Sequence, residues 1–200
     1  MADITAQLVK ELRERTGVGM MDCKNALEET KGDMDAAIEN LRKKGLKTLG
    51  KRMDREAKEG LIYSYLHPNS RVGVLVELNC ETDFVARGDD FRETAKGIAM
   101  HVAWANPRFL DREQVPAATI ESETALFRSQ LTPQQEKVAD KIVSAKLEKF
   151  FEDNCLVEQV DMRDGAGKKI GDLVTGLAGR TGERIILRRF KRFELGESLS

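Results

Sequence analysis

The spacing of the hydrophobic residues changes at Gly60, and this change limits the possible folds more than any other feature of the sequence. Through residues 4–41, apolar side chains recur every third or fourth position, which is the pattern of amphipathic helices. Through residues 72–78 they alternate with other residues, which is the pattern of a strand with one buried face. We therefore expect an α+β fold, in which a helical part precedes a part that contains a sheet.

Three short helices are predicted within residues 1–45. Asp22 is expected to cap the second helix, and Gly45 is expected to end the third. The apolar positions expected to face one another are Ile4, Leu8, Leu12, Cys23, Ala26, Leu27, Met34, Ala37, Ile38 and Leu41. A module of this size buries little surface, so we expect it to leave some apolar side chains for a partner.

A strongly basic stretch follows the helical module. Residues 42–58 hold eight basic and two acidic residues, with few apolar positions between them. We predict a linker over residues 46–60. Such a linker is either a solvated tether or a basic strip that meets an acidic surface, and the sequence leaves both interpretations open.

Residues 61–200 are predicted to form the core domain. Two runs rich in β-branched and aromatic residues, 61–66 and 72–78, flank His67–Arg71, whose proline and asparagine favour a turn. An antiparallel hairpin is therefore expected. The β-branched and aromatic content of residues 183–195 predicts a final strand. Together these strands predict a three-stranded antiparallel sheet packed against helices.

Helices are predicted between the hairpin and the final strand. The predicted spans are 91–105, 138–151 and 170–177. The largely helical region 119–154 is expected to break at Leu131, after which Thr132 would cap a new helix that has Pro133 in its first position.

The charges of the chain nearly cancel. Its 33 Lys and Arg residues stand against 34 Asp and Glu residues, which gives a formal net charge of -1. A protein that coats a phosphate backbone carries a clear basic excess, so direct nucleic-acid binding is not expected. No apolar stretch approaches the roughly 18 residues of a membrane helix, and the N-terminal stretch is charged where a secretory signal is apolar. A cytoplasmic protein without membrane association is expected.

The motifs of common enzyme classes are missing from the sequence. It has no P-loop, no GxGxxG, no GxSxG and no HExxH. Its two histidines, His67 in the predicted turn and His101 in a predicted helix, would have to converge to form an acid-base or metal site. The three cysteines lack the spacing of a zinc site. We therefore expect a protein that is not an enzyme, with no catalytic residues, no metal and no cofactor.

Two short segments are candidate recognition sites. Thr82, Asp83, Phe84 and Val85 lie between a predicted buried strand and a long helix, where loops often carry binding residues. Alternatively, Thr82 or Asp83 caps the turn while Phe84 fills the core beneath it. The second segment contains Arg13, Met20 and Met21. Its paired methionines beside glycines suit either an adaptable apolar contact or the packing of the helical module.

Three stretches of the sequence together resemble the bacterial elongation factor Ts family, the nucleotide-exchange factors of elongation factor Tu. ITAQLVKELRERTGVGMMDCKNALEETKGDMDAAIENLRKKG is similar to the ubiquitin-associated-like N-terminal module of that family. VLVELNCETDFVAR is similar to its core signature, and RRFKRFELGE to its closing strand. The pair formed by TDFVA and RTGVGMMDC is the specific part of the match, which spans essentially the whole chain.

The resemblance implies a role for each candidate residue. Asp83 and Phe84 would act where the partner GTPase holds its magnesium ion, displacing the ion and promoting GDP release, while Thr82 and Val85 hold the turn. Arg13, Met20 and Met21 would grip the GTPase domain of elongation factor Tu. We group the exposed turn residue His67 with these partner-binding residues.

The length of the chain is similar to that of the short members of the family. Long members carry two related core halves and this chain has room for one, so the resemblance implies a homodimer that recreates the two-lobed core. Two other hypotheses remain at this stage. One is an RNA-associated module that uses the basic linker and the C-terminal basic segment, and the other is a ubiquitin-associated-type adaptor that uses residues 1–45 alone.

Overall fold

A computed structural model of the chain describes residues 4–16, 20–50 and 55–198. Eight α-helices and three strands occur within those ranges. In chain order they are α1 Ala6–Thr16, α2 Met20–Glu29, α3 Met34–Gly50, β1 Glu59–Leu66, β2 Val72–Cys80, α4 Asp83–Ala86, α5 Asp89–Ala105, α6 Ala117–Ser129, α7 Ala139–Asn154, α8 Ile170–Thr181 and β3 Ile186–Glu194. The α+β class is confirmed. Within the described ranges, no helix is long and apolar enough to cross a membrane.

The three N-terminal helices enclose a small core of their own. Its buried members are Val9, Leu12, Cys23, Ala26, Leu27, Ala37 and Leu41. The start of α2 differs from the prediction, because Asp22 lies inside the first turn and not at the cap. A negative charge is favourable there too, since it faces the positive end of the helix dipole. Asp33 caps α3, where its Oδ1 accepts a hydrogen bond from the Ala36 amide at 2.9 Å.

Helix α3 is longer than the sequence predicts. It continues to Gly50, whereas the prediction ended it at Gly45. A glycine inside a helix costs only about 1 kcal/mol relative to alanine, and the Leu, Lys and Thr residues that follow Gly45 do not break a helix. The first part of the predicted linker is therefore helical. Its residues 51–54 lie outside the described part of the chain.

The three strands form one sheet in the order β1-β2-β3. The predicted hairpin is confirmed, and its turn is closed by two hydrogen bonds, from the His67 amide to the Val72 carbonyl and from the Ser70 amide to the His67 carbonyl. The inward positions of β2, Val74, Val76 and Leu78, are buried, as their alternation predicts. Leu75 points to the other face and is exposed.

The chain divides into two compact units. The first comprises the described residues of Met1–Tyr63, Val76–Lys96 and Asp172–Arg188, and the second those of Ser64–Leu75, Gly97–Gly171 and Arg189–Ser200. Each unit therefore contains part of the sheet. The segment Thr82–Val85 lies entirely in the first unit.

The break between α6 and α7 is longer than predicted. Helix α7 begins at Ala139, which confirms the predicted span 138–151, but no α-helix begins at Pro133. The Thr132 side chain does not cap a helix, because its hydroxyl donates to the Gln135 side-chain carbonyl at 3.2 Å, and the Thr132 amide donates to the same oxygen at 3.0 Å. These bonds stabilise a local turn, after which a short 3₁₀ helix, Glu136–Val138, leads into α7.

His101 lies in α5, in the second unit, and is buried. Its Nδ1 accepts a hydrogen bond from the Met162 amide at 3.2 Å, so the ring hydrogen is on Nε2, which lies 3.0 Å from the Gln159 Oε1 and donates to it. Both ring nitrogens are therefore used by the neutral imidazole. Burial lowers the pKa of His101 below its usual value.

The free energy of unfolding should fall as the pH decreases below about 6.5, the pKa of His101 in the unfolded chain. Below that pH the unfolded chain binds a proton at His101 that the native chain excludes, so acid favours unfolding, by at most about 1.4 kcal/mol per pH unit. Urea denaturation at pH 7.5, 6.5 and 5.5 measures the slope. The variant His101→Gln should be less stable at pH 7.5 and show a shallower slope; an equal slope would contradict the assignment.

Candidate partner-binding site

The segment Thr82–Val85 forms a single-turn projection between β2 and α5. Thr82 has an extended backbone and caps α4, since its Oγ1 accepts a hydrogen bond from the Val85 amide at 3.4 Å. Ala86, at the end of the turn, is buried. One of the two roles considered for Thr82, capping of the turn, is therefore observed. We call Thr82–Val85 the tip.

Phe84 is 84% exposed, so the interpretation that it fills the core is wrong. Phe84 and Ala86 are two residues apart on one helical turn, which places their side chains about 200° apart around its axis. Because Ala86 faces inward, Phe84 faces outward. Keeping a phenylalanine in water forgoes roughly 2 kcal/mol of burial energy, and an isolated aromatic at the end of a rigid turn is typical of a contact residue.

Asp83 is also exposed and pairs with Arg87, just beyond the tip. Its Oδ2 lies 2.8 Å from Nη2 of Arg87, four residues later, and the Arg87 amide donates to the Asp83 carbonyl at 3.1 Å. An exposed ion pair of this kind contributes little stability. The Asp83 side chain remains 61% exposed, so its carboxylate stays accessible to an incoming partner.

Sequence reasoning missed the residue that anchors the tip, Glu183. Its Oε2 accepts hydrogen bonds from the amides of Glu81 and Thr82, both at 3.0 Å, and its Oε1 accepts one from the Thr82 hydroxyl at 2.6 Å. In return, the Glu81 carboxylate accepts a hydrogen bond from the Arg184 amide at 2.6 Å. Glu183 follows Thr82 by 101 residues, and no local pattern indicates such a pairing.

Cys80 lies beneath the tip as the last residue of β2. It is fully buried, and its thiol donates to the Thr82 carbonyl at 3.0 Å. Burial, with a further contribution from the negative charge of Glu183, raises the pKa of Cys80 to about 11. Burial also raises the pKa of Cys155 to about 11. Both thiols therefore remain protonated at neutral pH.

Cys80 and Cys155 should react with a thiol reagent such as DTNB more than about a hundredfold more slowly than a free cysteine, whose pKa is about 8.5. The thiolate is the reactive form, and burial also blocks access. Following the released chromophore at pH 7.5, with and without denaturant, measures this difference. The variants Cys80→Ser and Cys155→Ser show which cysteine produces each part of the released chromophore. Rapid labelling of either thiol in the folded chain would refute the prediction.

The second predicted segment is on the helical module. Arg13 is near the end of α1, and Met20 and Met21 begin α2; all three side chains are exposed. Because Met20 is 51% and Met21 67% exposed, the interpretation that they pack in the core of the module is wrong. Residues 17–19 between them lie outside the described ranges. No hydrogen bond or ion pair among the described residues joins this set to the tip.

His67 occupies the hairpin turn of the second unit and is exposed. Its backbone closes the turn, and its Nδ1 lies 3.1 Å from the Tyr65 hydroxyl. The structure therefore gives His67 a role in the turn, and a partner-binding role remains a prediction.

Comparisons with known proteins find relatives that match nearly the whole chain. The sequence profile described as Elongation factor TS matches residues 4–197. The chain belongs to the elongation factor Ts family. The elongation factor Ts of Fervidobacterium nodosum is 53% identical over 197 residues, covering 98% of this chain and 100% of the relative. Those of Thermodesulfovibrio yellowstonii and Thermotoga maritima are 52% and 51% identical, each covering 98% of both chains.

The basic C-terminal segment similar to the closing strand of elongation factor Ts is strand β3. Two of its cations are paired, Arg188 with Glu77 at 3.6 Å and Arg192 with Glu194 at 2.7 Å. The Arg192 side chain is also largely buried, and its Nε donates to the Ala103 carbonyl at 3.4 Å. Charges that are neutralised or buried in this way do not favour binding to a nucleic-acid backbone.

Proposed function

We propose that the tip is the element with which this member of the elongation factor Ts family releases nucleotide from elongation factor Tu. Membership of the family assigns the chain to nucleotide exchange on elongation factor Tu in translation elongation. The observation that supports a role for the tip is the exposure of Phe84 on a turn that begins at the hydrogen-bonded Thr82 and ends at the buried Ala86. An apolar side chain held away from its own core is suited to insert into another protein.

The chemistry of the partner explains how such an insertion releases GDP. A magnesium ion in a GTPase bridges the nucleotide phosphates to the protein and neutralises their charge. Phe84 acts as a wedge that displaces the elements holding the ion. The Asp83 carboxylate arrives with it, repelling the phosphates and competing for the water shell of the metal. The metal and nucleotide belong to the partner, so the chain needs no cofactor of its own.

Exchange requires that this protein bind nucleotide-free elongation factor Tu more tightly than the loaded form. Linkage makes the effect reciprocal, so that incoming nucleotide expels the exchange factor. A ten-thousandfold faster release corresponds to roughly 5.5 kcal/mol of barrier lowering. One buried aromatic supplies about 2 kcal/mol of this. Contacts elsewhere must therefore offset the strain on the partner, and we assign Arg13, Met20, Met21 and His67 to that anchoring role. No covalent bond changes, so the chain acts as an exchange factor and not as an enzyme.

The outer face of the sheet supports the proposed homodimer. In the second unit it carries exposed leucines at positions 66, 75 and 195 and the exposed Phe193. These four share one face, because the His67 amide pairs with the Val72 carbonyl and the Leu195 amide pairs with the Arg71 carbonyl at 2.8 Å, which fixes the register of the three strands. Exposed apolar side chains that share one face of a sheet are suited to pack against a second copy.

Light scattering at micromolar concentration should give the mass of a dimer. Phe193→Asp should shift the mass toward that of the monomer, because a carboxylate on this face would be buried unpaired. The matched substitution Ser122→Asp, at an exposed position of α6 and not on the sheet, tests whether any added charge has this effect. A wild-type monomer at micromolar concentration would refute the dimer without affecting the exchange proposal.

The proposed function is tested by loading elongation factor Tu with fluorescent GDP and following its release in excess unlabelled nucleotide. Adding this protein at stoichiometric concentration should accelerate release by orders of magnitude. Adding an excess of magnesium should oppose the acceleration, since the tip acts by displacing that ion. An unchanged release rate with folded protein would refute the proposal.

A further inference from the structure

We propose that Glu183 is a positioning residue for nucleotide exchange, which holds the tip in the orientation that allows Phe84 to insert. The inference rests on the proposed function of the tip. Glu183 does not contact the partner in this account. It acts through Thr82, and its contribution is to the speed of release and not to docking.

The carboxylate of Glu183 accepts three hydrogen bonds where β2 ends. The amides of Glu81 and Thr82 follow the last residue of the strand, and both donate to Oε2, while the Thr82 hydroxyl donates to Oε1. Hydrogen bonds to a charged acceptor are roughly twice as strong as neutral ones. One side chain therefore fixes the direction in which the backbone leaves the sheet.

The hydrogen bonds continue from Glu183 into the turn that carries Phe84. The Thr82 hydroxyl donates to Glu183 and also accepts from the Val85 amide at 3.4 Å. A change at Glu183 is thus transmitted to the first turn of α4 through one hydroxyl group. A second contact runs in the reverse direction, from the Arg184 amide to the Glu81 carboxylate at 2.6 Å. It fixes the segment that carries Glu183 against the end of β2.

A tip that is already ordered before the partner arrives should release nucleotide faster than a mobile tip. A tip that must be ordered during insertion adds an entropic cost to the transition state. Docking through the exposed residues of the helical module, Arg13, Met20 and Met21, does not require that ordering. Loss of Glu183 should therefore lower the maximal release rate at saturating protein and leave the half-saturating concentration nearly unchanged.

The experiment measures GDP release from elongation factor Tu as a function of the concentration of this protein. Glu183→Ala should lower the maximal rate at least about tenfold, because it removes all three hydrogen bonds to the carboxylate and one hydrogen bond to a charged group alone corresponds to about that change. Glu183→Gln should stay within about threefold of wild type, because the Gln carbonyl still accepts from both amides and its NH₂ group faces a hydroxyl that also accepts. Glu121→Ala, which removes an exposed carboxylate from α6, is the matched control and should have no effect.

The coupling between Glu183 and the tip is tested independently with Thr82→Val. This variant removes the hydroxyl that joins Glu183 to Val85, and it leaves the amide contacts in place. In the double variant that combines Glu183→Ala with Thr82→Val, the fold-loss of rate should be clearly smaller than the product of the two single fold-losses, because both substitutions break the same hydrogen-bond network. If the fold-loss in the double variant equals the product of the two single fold-losses, the two residues act independently and the proposal is overturned. Thermal unfolding of each variant shows which rates were measured on folded protein. If Glu183→Ala does not fold, Glu183→Asp takes its place in the cycle, because its side chain is one methylene shorter and cannot reach both amides and the Thr82 hydroxyl; it should also lower the maximal rate, and an unchanged rate would overturn the proposal.

The outcomes separate this inference from the proposed function. If the wild-type chain does not accelerate release, the proposed function fails. If the wild type is active and Phe84→Ala is clearly slower, but folded Glu183→Ala matches the wild type, only the role of Glu183 is overturned. A raised half-saturating concentration at an unchanged maximal rate would also overturn it, since Glu183 would then be a docking residue.

Discussion

Replacing Phe84 with alanine should lower the maximal rate of GDP release from elongation factor Tu about thirtyfold, because about 2 kcal/mol of burial is lost in the complex. The stability of the chain itself should change little. Phe84 is 84% exposed, and substitutions at exposed positions usually change the free energy of unfolding by less than about 0.5 kcal/mol. Nucleotide release and urea denaturation of the same variant measure both quantities.

Phe91→Ala is the matched control for this substitution. Phe91 lies seven residues later in α5 and is only 1% exposed, so its truncation should cost about 3–5 kcal/mol of stability. The two phenylalanines should therefore show opposite effects, with activity lost at Phe84 and stability lost at Phe91. A loss of stability in Phe84→Ala as large as its loss of activity would show that Phe84 is a structural residue.

Gly60→Ala should lower the free energy of unfolding by about 3 kcal/mol or more. Gly60 has a backbone φ of +142°, which side chains rarely tolerate. A Cβ atom there would also lie 2.2 Å from the Leu78 carbonyl oxygen and 2.7 Å from the Asn79 Cα. Both neighbours are backbone atoms of β2, so a rotamer change cannot relieve the overlap and the two strands would have to separate.

Gly73→Ala on the neighbouring strand provides the comparison. A Cβ at Gly73 would meet only the Leu66 Cδ1, at the ordinary contact distance of 3.9 Å. This variant should be within about 1 kcal/mol of wild type in urea denaturation, because alanine also reduces the entropy of the unfolded chain. Equal stabilities of the two variants would show that the strands of the first unit adjust freely at Gly60.

The hairpin was predictable because its signals are local. Alternation of apolar residues through 72–78 sets the buried face of β2, and proline and asparagine mark the turn. Element ends were less predictable. Helix α3 continues past Gly45, and no α-helix starts at Pro133, because the ends of helices depend on weak local preferences that specific contacts override. The bond between Thr132 and Gln135 is one such contact.

The position of the candidate site was also predictable from the sequence, but its geometry was not. The residues of Thr82–Val85 fit both a cap over a buried Phe84 and a projecting contact, and only the orientation of Ala86 in three dimensions distinguishes the two. Glu183 was not predicted at all. A carboxylate that pairs with backbone amides about a hundred residues away has no counterpart in hydrophobic periodicity or in capping patterns.

The sequence distance between the tip and its anchor has a consequence for how the protein is made. A ribosome adds Phe84 long before it adds Glu183, and the tip cannot take its final shape until α8 and the residues that follow it have joined the end of β2. Closing so long a loop is a late and slow event in folding. A nascent chain that ends before Glu183 therefore lacks the three hydrogen bonds that orient the tip, so the tip becomes ordered only after the C-terminal part of the chain has been made.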